Sequence, residues 1–156
     1  MKTFTLTFLI FTMALSLSAQ SPNDKPKLPK TWDKDLQVKF SFTGSMDGSN
    51  THLTFTYDSM TYTRNSGMTA PKTDHYKMKE ADRVDILKKL RELKFETVKS
   101  DISPAPVNDG WSTLLCVGSH CVQGGTSTSM TDKDKETFSL ATDYLQSFAL
   151  SKSKKK

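Results

Sequence analysis

The sequence predicts an α+β fold in which an antiparallel sheet of about five strands packs two helices on one face, in the order βββ-α-ββ-α. Five short segments alternate apolar and polar residues, which is typical of half-buried strands. Two longer segments space their apolar residues as an amphipathic helix does. The links between strands are short and no regular βαβ alternation occurs, so antiparallel pairing is favoured.

The first three strands are predicted between residues 36 and 64. Their inward positions are Leu36, Val38, Phe40 and Phe42, then Leu53, Phe55 and Tyr57, then Met60, Tyr62 and Arg64. Residues 44–50 separate the first two strands with Gly, Asp and Asn, which favour turns. The alternation stops after the third strand, and a loop is expected over residues 65–76.

The second half of the chain supplies the remaining elements. A helix is predicted over residues 79–94, with an apolar stripe made by Val84, Ile86, Leu87, Leu90 and Leu93. A further strand pair is predicted over residues 111–117 and 120–126. The last helix begins near Thr131, where Thr131 and Asp134 fit a capping box, and its apolar positions are Phe138, Ala141, Leu145 and Phe148.

Both ends of the chain are expected to lie outside the single domain, which we place at residues 33–150. Residues 1–19 begin with Lys2, continue without charge and end at Ala19, as a cleavable signal peptide does. Residues 20–32 are interpreted as an extended Pro-rich leader, with Trp32 the first residue to dock on the domain. Residues 151–156 are expected to be a disordered basic tail.

The signal segment predicts a periplasmic or secreted protein with no stable membrane span, because the apolar stretch is too short and too rich in Ser and Thr. The chain has 22 basic and 17 acidic residues. Lys2 and four C-terminal lysines account for the excess, so residues 20–151 are formally neutral. A nucleic-acid partner is therefore not expected. The sequence identifies neither a partner nor an oligomeric state; a protein or another envelope component is one kind of partner that is compatible with it.

The two cysteines, Cys116 and Cys121, flank a predicted two-residue turn at Gly118-Ser119. That turn places them opposite each other at a non-hydrogen-bonded pair of the hairpin, where side chains lie closest. Export into an oxidising compartment then favours a disulfide. The alternative is a metal site or a redox switch built from both thiols and His120. A zinc site would need four donors, and a thioredoxin-like redox site would need a Cys-x-x-Cys pair at the start of a helix; the sequence shows neither.

No catalytic, metal or nucleotide motif stands out, so no catalytic residue, metal or cofactor is expected. The three histidines, His52, His75 and His120, have no Gly-x-Ser-x-Gly elbow near them in the sequence. Gly124-Gly125 lacks the Lys-Ser/Thr ending of a phosphate-binding loop and is interpreted as a flexible strand exit.

Three residues are singled out as possible ligand contacts: Tyr57, Tyr62 and His120. The two tyrosines belong to the strand pattern, but their hydroxyls require water or a partner. His120 lies beside the predicted hairpin turn.

Four pieces of sequence support a resemblance. They are Ser18-Ala19-Gln20 at the end of the signal, Phe42-Thr43-Gly44-Ser45-Met46 at a strand end, the Leu87, Leu90 and Leu93 helix closing in Lys94-Phe95, and Asp109-Gly110 at the start of a hairpin. With these the chain resembles small uncharacterised exported proteins of Gram-negative bacteria, over most of its mature length. The resemblance implies a periplasmic or secreted location and no known activity. Many such proteins are lipoproteins, whereas this chain has no cysteine at the cleavage site to acylate.

Two hypotheses for the function remain open. The first is a non-catalytic binding or interaction module that displays residues 44–50, 65–76 and 123–130 from a rigid sheet, since recognition is often carried by loops on a scaffold. The second is a small extracytoplasmic hydrolase, in which one of the three histidines would meet a carboxylate and a hydroxyl in a pocket.

Overall fold

The computed structural model describes residues 27–44, 48–67, 69–102 and 110–153. Its helices are α1, Glu80–Glu92, and α2, Asp132–Ser153, with a short 3-10 helix at Phe95–Thr97. Its strands are β1 Val38–Thr43, β2 Asn50–Phe55, β3 Ser59–Asn65, β4 Lys72–Lys77, β5 Asp101–Ile102, β6 Ser112–Val117, β7 His120–Gly125 and β8 Thr128–Ser129. The predicted signal peptide, most of the predicted leader and residues 154–156 lie outside the described residues.

The α+β class and the two helices are confirmed, but the predicted strand number and order are wrong. Within the described residues the main sheet has six strands in the order β4-β3-β2-β1-β6-β7, and β5 and β8 pair separately. All of these pairings are antiparallel. Four strands therefore precede α1 where three were predicted, and two short strands flank the β6-β7 hairpin along the chain.

Strand β4 was missed because it lies at the edge of the sheet. It occupies residues 72–77, within and beyond the expected 65–76 loop, and it buries no residue fully. An edge strand can pair through its backbone without contributing apolar side chains to the core, so the alternation that marks a strand is absent. Lysines at both ends, Lys72 and Lys77, are typical of an edge protected against further pairing.

One face of the sheet packs against both helices. Its centre is built by Phe40 of β1, Phe55 of β2 and Leu115 of β6, all nearly or fully buried. From the helices, Leu90 of α1 and Leu145 of α2 enter the same core. Val84 does not follow its predicted place in the apolar stripe of α1, because 56% of its surface is exposed.

The other face of the sheet is open to solvent and polar. Pairing brings Thr63 beside Thr73 and Thr61 beside His75, with their side-chain oxygen and nitrogen atoms 3.0 and 3.3 Å apart. His52, in the neighbouring strand β2, is also exposed. This face therefore carries two of the three histidines.

The β6-β7 hairpin confirms the predicted disulfide. Cys116 and Cys121 are opposed in the strand register, and the disulfide joins them with their Cα atoms 4.0 Å apart. The turn between the strands begins at Gly118, whose φ of +59° is the value that glycine adopts readily at the first central position of a type II′ turn. Cys121 is exposed, so the disulfide lies on the open face of the sheet.

Replacing both cysteines, Cys116→Ser with Cys121→Ser, is expected to lower the free energy of unfolding by about 2 kcal/mol while the fold is kept. The closed loop is small, so the bridge removes only modest entropy from the unfolded chain. Urea denaturation with and without reductant measures the effect. Reductant should lower the stability of the wild type to that of the double variant and leave the variant unchanged; a reductant-insensitive wild type would contradict the prediction.

The N-terminal segment joins the core, although the sequence assigns residues 20–32 to a leader. Leu28 and Trp32 are buried, and the Trp32 Nε1 donates a hydrogen bond of 2.9 Å to the carbonyl of Leu36. Asp33 accepts from the amides of Asp35 and Leu36, which turns the chain into β1. Residues 28–32 thus form a strap across the body, and this name is kept below.

The C-terminal end of α2 is tied to the start of α1. Lys152 Nζ lies 2.6 Å from Asp82 Oδ1 and 4.9 Å from the centre of the Phe148 ring. The other oxygen of Asp82 accepts from the backbone amide of Lys79, 3.0 Å away, which caps α1. Residues 151–153, which the sequence assigns to the basic tail, continue α2.

The pKa of Asp82 is held below its usual range. Burial on its own raises it, but the hydrogen bonds from Lys152 and the Lys79 amide, with the charges of both lysines, outweigh that effect. A lowered pKa in the folded state means that the ionised carboxylate stabilises the fold above the unfolded pKa of about 4. This contribution is lost as the pH falls through the lower, folded-state pKa.

Asp82→Asn is therefore expected to lower stability at pH 7 and to flatten the loss of stability on acidification below about pH 4. Urea unfolding at several pH values measures both effects. The matched control is Asp85→Asn, which removes an exposed carboxylate of the same helix and should leave the acid slope unchanged. Equal acid slopes for wild type and Asp82→Asn would contradict the assignment.

Among the described residues, no helix combines the length and the apolar character needed to cross a membrane.

Candidate functional site

A groove of about 870 Å³ runs along the outer side of α1. The strap forms its opposite wall through Lys30, Thr31 and Trp32, and Tyr57 closes it beside the β2-β3 turn. From α1 and the turn after it, the lining residues are Glu80, Arg83, Val84, Leu87, Lys88, Arg91, Glu92, Lys94 and Glu96. The helical residues repeat at three- and four-residue intervals, so they share one face of the helix.

The apolar side chains of the groove lie in the half near the start of α1, where Glu80 and Arg83 also line it. Leu87 and Trp32 are buried at its base, whereas Val84 projects above them and is largely exposed. An exposed valine on a helix is ordinary by itself. Here it lies in a concavity between two walls, where it offers the main accessible apolar contact.

Arg83 covers the ring of Tyr57. Its guanidinium carbon lies 3.9 Å from the ring centre, and Nη1 donates a hydrogen bond of 2.7 Å to the Tyr57 carbonyl. The pair joins α1 to the β2-β3 turn and fixes the shape of this end of the groove. It also occupies one face of the only tyrosine that lines the groove in the described part of the chain.

The other half of the groove is cationic. Lys88, Arg91 and Lys94 follow one another along the last turn of α1 and beyond it, and Lys30 faces them from the strap. Arg91 Nη1 lies 3.5 Å from the carbonyl oxygen of Lys30, so the two walls meet here. Glu92 and Glu96 share this end, leaving an excess of positive charge.

Lys94 adopts a strained backbone conformation. Its φ of +56° and ψ of +40° are left-handed, and no other residue except glycine has a positive φ in the segments that the structure describes. Glycine is the usual residue at this position after a helix, and an L side chain there costs about 1 kcal/mol. The chain thus keeps a cation in the groove at a position where glycine would be more stable.

A smaller cavity of about 250 Å³ lies on the other side of the strap, beside the β6-β7 turn. His120 lines it, and its Nε2 is 3.2 Å from the carbonyl oxygen of Phe95. The Phe95 and His120 rings meet edge to face, with centres 5.4 Å apart. Glu96 borders both cavities, and its Oε2 is buried without a hydrogen-bond partner among the described residues.

The three residues predicted as ligand contacts do not form one site. Tyr57 lines the groove and His120 lines the smaller cavity. Tyr62 is buried in the core, with Arg64 over its ring at 4.7 Å. They are separated because the β2-β3 turn, the middle of β3 and the β6-β7 turn occupy different parts of the sheet.

The histidines are also dispersed. His52 and His75 lie on the open face of the sheet, and His120 contacts Phe95 at the smaller cavity. The hydrogen bonds described for His75 and His120 involve Thr61 and a backbone carbonyl, not a carboxylate. Across residues 27–44, 48–67, 69–102 and 110–153, no three His, Cys, Asp or Glu side chains gather closely enough to hold a metal ion.

Two of the proposed display segments contain strands. Half of residues 65–76 belong to β3 or β4, with residue 68 outside the described residues, and residues 123–130 contain the end of β7 and all of β8. Gly124 and Gly125 belong to β7 and not to a flexible exit. Residues 45–47 of the third segment lie outside the described residues.

The groove was missed by sequence reasoning. Its helical face mixes Glu80, Arg83, Val84, Lys88 and Arg91, which is the composition of an ordinary solvated face. A usable signal was the Leu93-Lys94-Phe95 helix end, where no glycine occurs although the chain must leave the helix.

Neither the family models nor the curated proteins with which the chain was compared give a match.

Proposed function

We propose that the protein is an exported, non-catalytic binding module and that the groove between α1 and the strap is its binding site. The observation that carries this proposal is Lys94, a groove residue in a left-handed conformation that disfavours it. Residues held in such conformations cluster at active sites and ligand-binding sites, which supports a binding role for Lys94. The exposed Val84, which lines the same groove nearer the start of α1, supplies the apolar contact that binding requires.

Two features support export: the cysteine pair and the signal-like start of the chain. A disulfide between Cys116 and Cys121 is compatible with an oxidising compartment outside the cytoplasm. Residues 1–19 have the pattern of a cleavable signal peptide. Intact-mass measurement on the native protein tests both features, since cleavage after residue 19 and the loss of two hydrogens have distinct masses.

Affinity capture tests the groove as the binding site. The protein is immobilised and exposed to envelope extract and culture fluid of its source, and retained proteins and small molecules are identified by mass spectrometry. The groove variant is Val84→Glu, which places a charge on an exposed position. The matched control is Leu114→Glu, which makes the same kind of change at an exposed position on the open sheet face.

The expected result is one set of retained species shared by the wild type and Leu114→Glu and lost from Val84→Glu. Circular dichroism on all three proteins confirms that they are folded. Retention of the whole set by Val84→Glu would show that the groove is not the binding site.

Lys94→Gly is expected to raise the free energy of unfolding by about 1 kcal/mol while weakening retention of the same species, because glycine relieves the left-handed backbone and removes the cation. Urea denaturation and the capture assay measure the two effects. Lys94→Asn is the companion variant, since asparagine tolerates this conformation but carries no charge. Unchanged retention by both variants would contradict a binding role for Lys94.

A further inference from the structure

We propose that the ligand of the groove is an extended acidic peptide segment of a partner protein, with one apolar side chain lying against Val84. This inference rests on the proposed function and adds the chemical class of the partner. It follows from the length, the charge and the covered aromatic rings of the groove.

The length and openness of the groove suit a chain that lies along it. The lining residues run from Glu80 to Glu92, the whole of α1, which at 1.5 Å per residue extends about 18 Å. An extended peptide of about five or six residues covers that distance. The site is bordered by α1 on one side and the strap on the other, so a linear segment fits between two walls.

The charge of the groove favours carboxylates. Lys30, Lys88, Arg91 and Lys94 gather at one end against Glu92 and Glu96. Residues 20–151, the groove included, are formally neutral in total, so this excess is a local feature and not a reflection of overall charge. Aspartate or glutamate side chains of a bound segment would pair with these cations, and Val84, about one to three turns of helix from Lys88, Arg91 and Lys94, would receive an apolar side chain.

The aromatic rings of the groove argue against a sugar ligand. Sugar rings stack on exposed aromatic faces, but Arg83 covers Tyr57 and only 7% of the Trp32 surface is accessible. The apolar side chains of the groove offer little accessible surface apart from Val84, because Leu87 and Trp32 are buried. A hydrocarbon chain would remain largely in water there, so a lipid is disfavoured as well.

A displayed library of random eight-residue peptides, selected on the immobilised full-length mature protein, tests the proposal. The expected enrichment is for sequences rich in aspartate and glutamate that contain one large apolar residue. A synthetic peptide of the enriched sequence, carrying a net-neutral dye, then serves as the probe for fluorescence anisotropy. A second peptide with glutamine and asparagine in place of the acids serves as its control.

Two charge-reversal variants separate the groove from general electrostatics. Lys88→Glu with Lys94→Glu reverses two exposed groove cations, and Lys99→Glu with Lys133→Glu makes the same net change at exposed positions outside the groove. The first pair is expected to weaken probe binding at least about tenfold and the second about twofold or less. Binding should also weaken as salt rises, because the groove cations are exposed.

The outcomes distinguish this inference from the proposed function. Enriched peptides that are neutral or basic, or an acidic probe that binds both charge-reversal pairs equally, would overturn the acidic-peptide assignment. If no peptide is enriched while Val84→Glu still loses retained species in the capture assay, the groove remains the binding site and its ligand is of another class, such as a glycan. If Val84→Glu loses nothing, the proposed function itself fails.

Discussion

Replacing Trp32 with alanine is expected to lower the free energy of unfolding by about 3 kcal/mol and to open one wall of the groove. The side chain is buried, and its Nε1 donates to the carbonyl of Leu36 at the start of β1. The substitution removes a large apolar contact and leaves that carbonyl without its donor. The strap, which only Leu28 and Trp32 anchor in the core, should then detach from α1.

Urea denaturation measures the stability, and the affinity for the proposed acidic-peptide probe reports whether the groove is intact. The chain has two tryptophans, which supply a matched control. Trp111 is 46% exposed, and its ring lies 6.5 Å from that of Phe42. Trp111→Ala should therefore cost less than about 1 kcal/mol and leave probe binding unchanged. Equal losses from the two variants would mean that Trp32 does not anchor the strap.

Replacing Gly125 with alanine is expected to lower the free energy of unfolding by about 3 kcal/mol or more. Gly125 has a φ of +141°, a conformation that L side chains rarely adopt. An added Cβ would also overlap the backbone of Trp111, whose carbonyl accepts hydrogen bonds from the amide and the hydroxyl of Thr126. Relief of that overlap requires the end of β7 to move away from β6.

Gly48→Ala is the matched control, because Gly48 also has a positive φ, +66°, but an added Cβ would make only an ordinary contact, 3.9 Å from the Cα of Gly67. This variant should lower the free energy of unfolding by only about 1 kcal/mol, which is the usual effect of placing alanine in a left-handed conformation. Urea denaturation of both variants gives the comparison. If Gly125→Ala were no more destabilising than Gly48→Ala, the close approach of β7 to Trp111 would be wrong.

The strands that bury one face were predictable from sequence, since alternation directly reports a half-buried sheet. The register that opposes Cys116 and Cys121 was predictable as well, because a two-residue turn fixes which residues of a hairpin face each other. The edge strand β4 was not, because Lys72, Thr73 and Asp74 owe their extended conformation to pairing with β3 and not to burial.

The groove was hidden for a different reason. Periodicity places Val84 and Leu87 on one stripe of α1, but only tertiary packing decides that Leu87 is buried and Val84 exposed. The strap that forms the opposite wall was assigned to a leader, because the three prolines and three lysines of residues 20–32 outweigh Leu28 and Trp32 in composition. Trp32 was expected to dock on the domain, and it does. That its docking forms one wall of a groove could be seen only in the structure.

The central position of β1 has a consequence for how the chain acquires its fold. Strands β1 to β4 are joined in sequence as successive hairpins, whereas the second neighbour of β1 is β6, which the ribosome makes only after α1. Until β6 is made, the backbone groups of Lys39 and Ser41 that pair with β6 have no partner strand, beside the apolar side chains of Val38 and Phe40. A chain that stops after α1 should therefore be prone to self-association, because another copy can supply the missing strand.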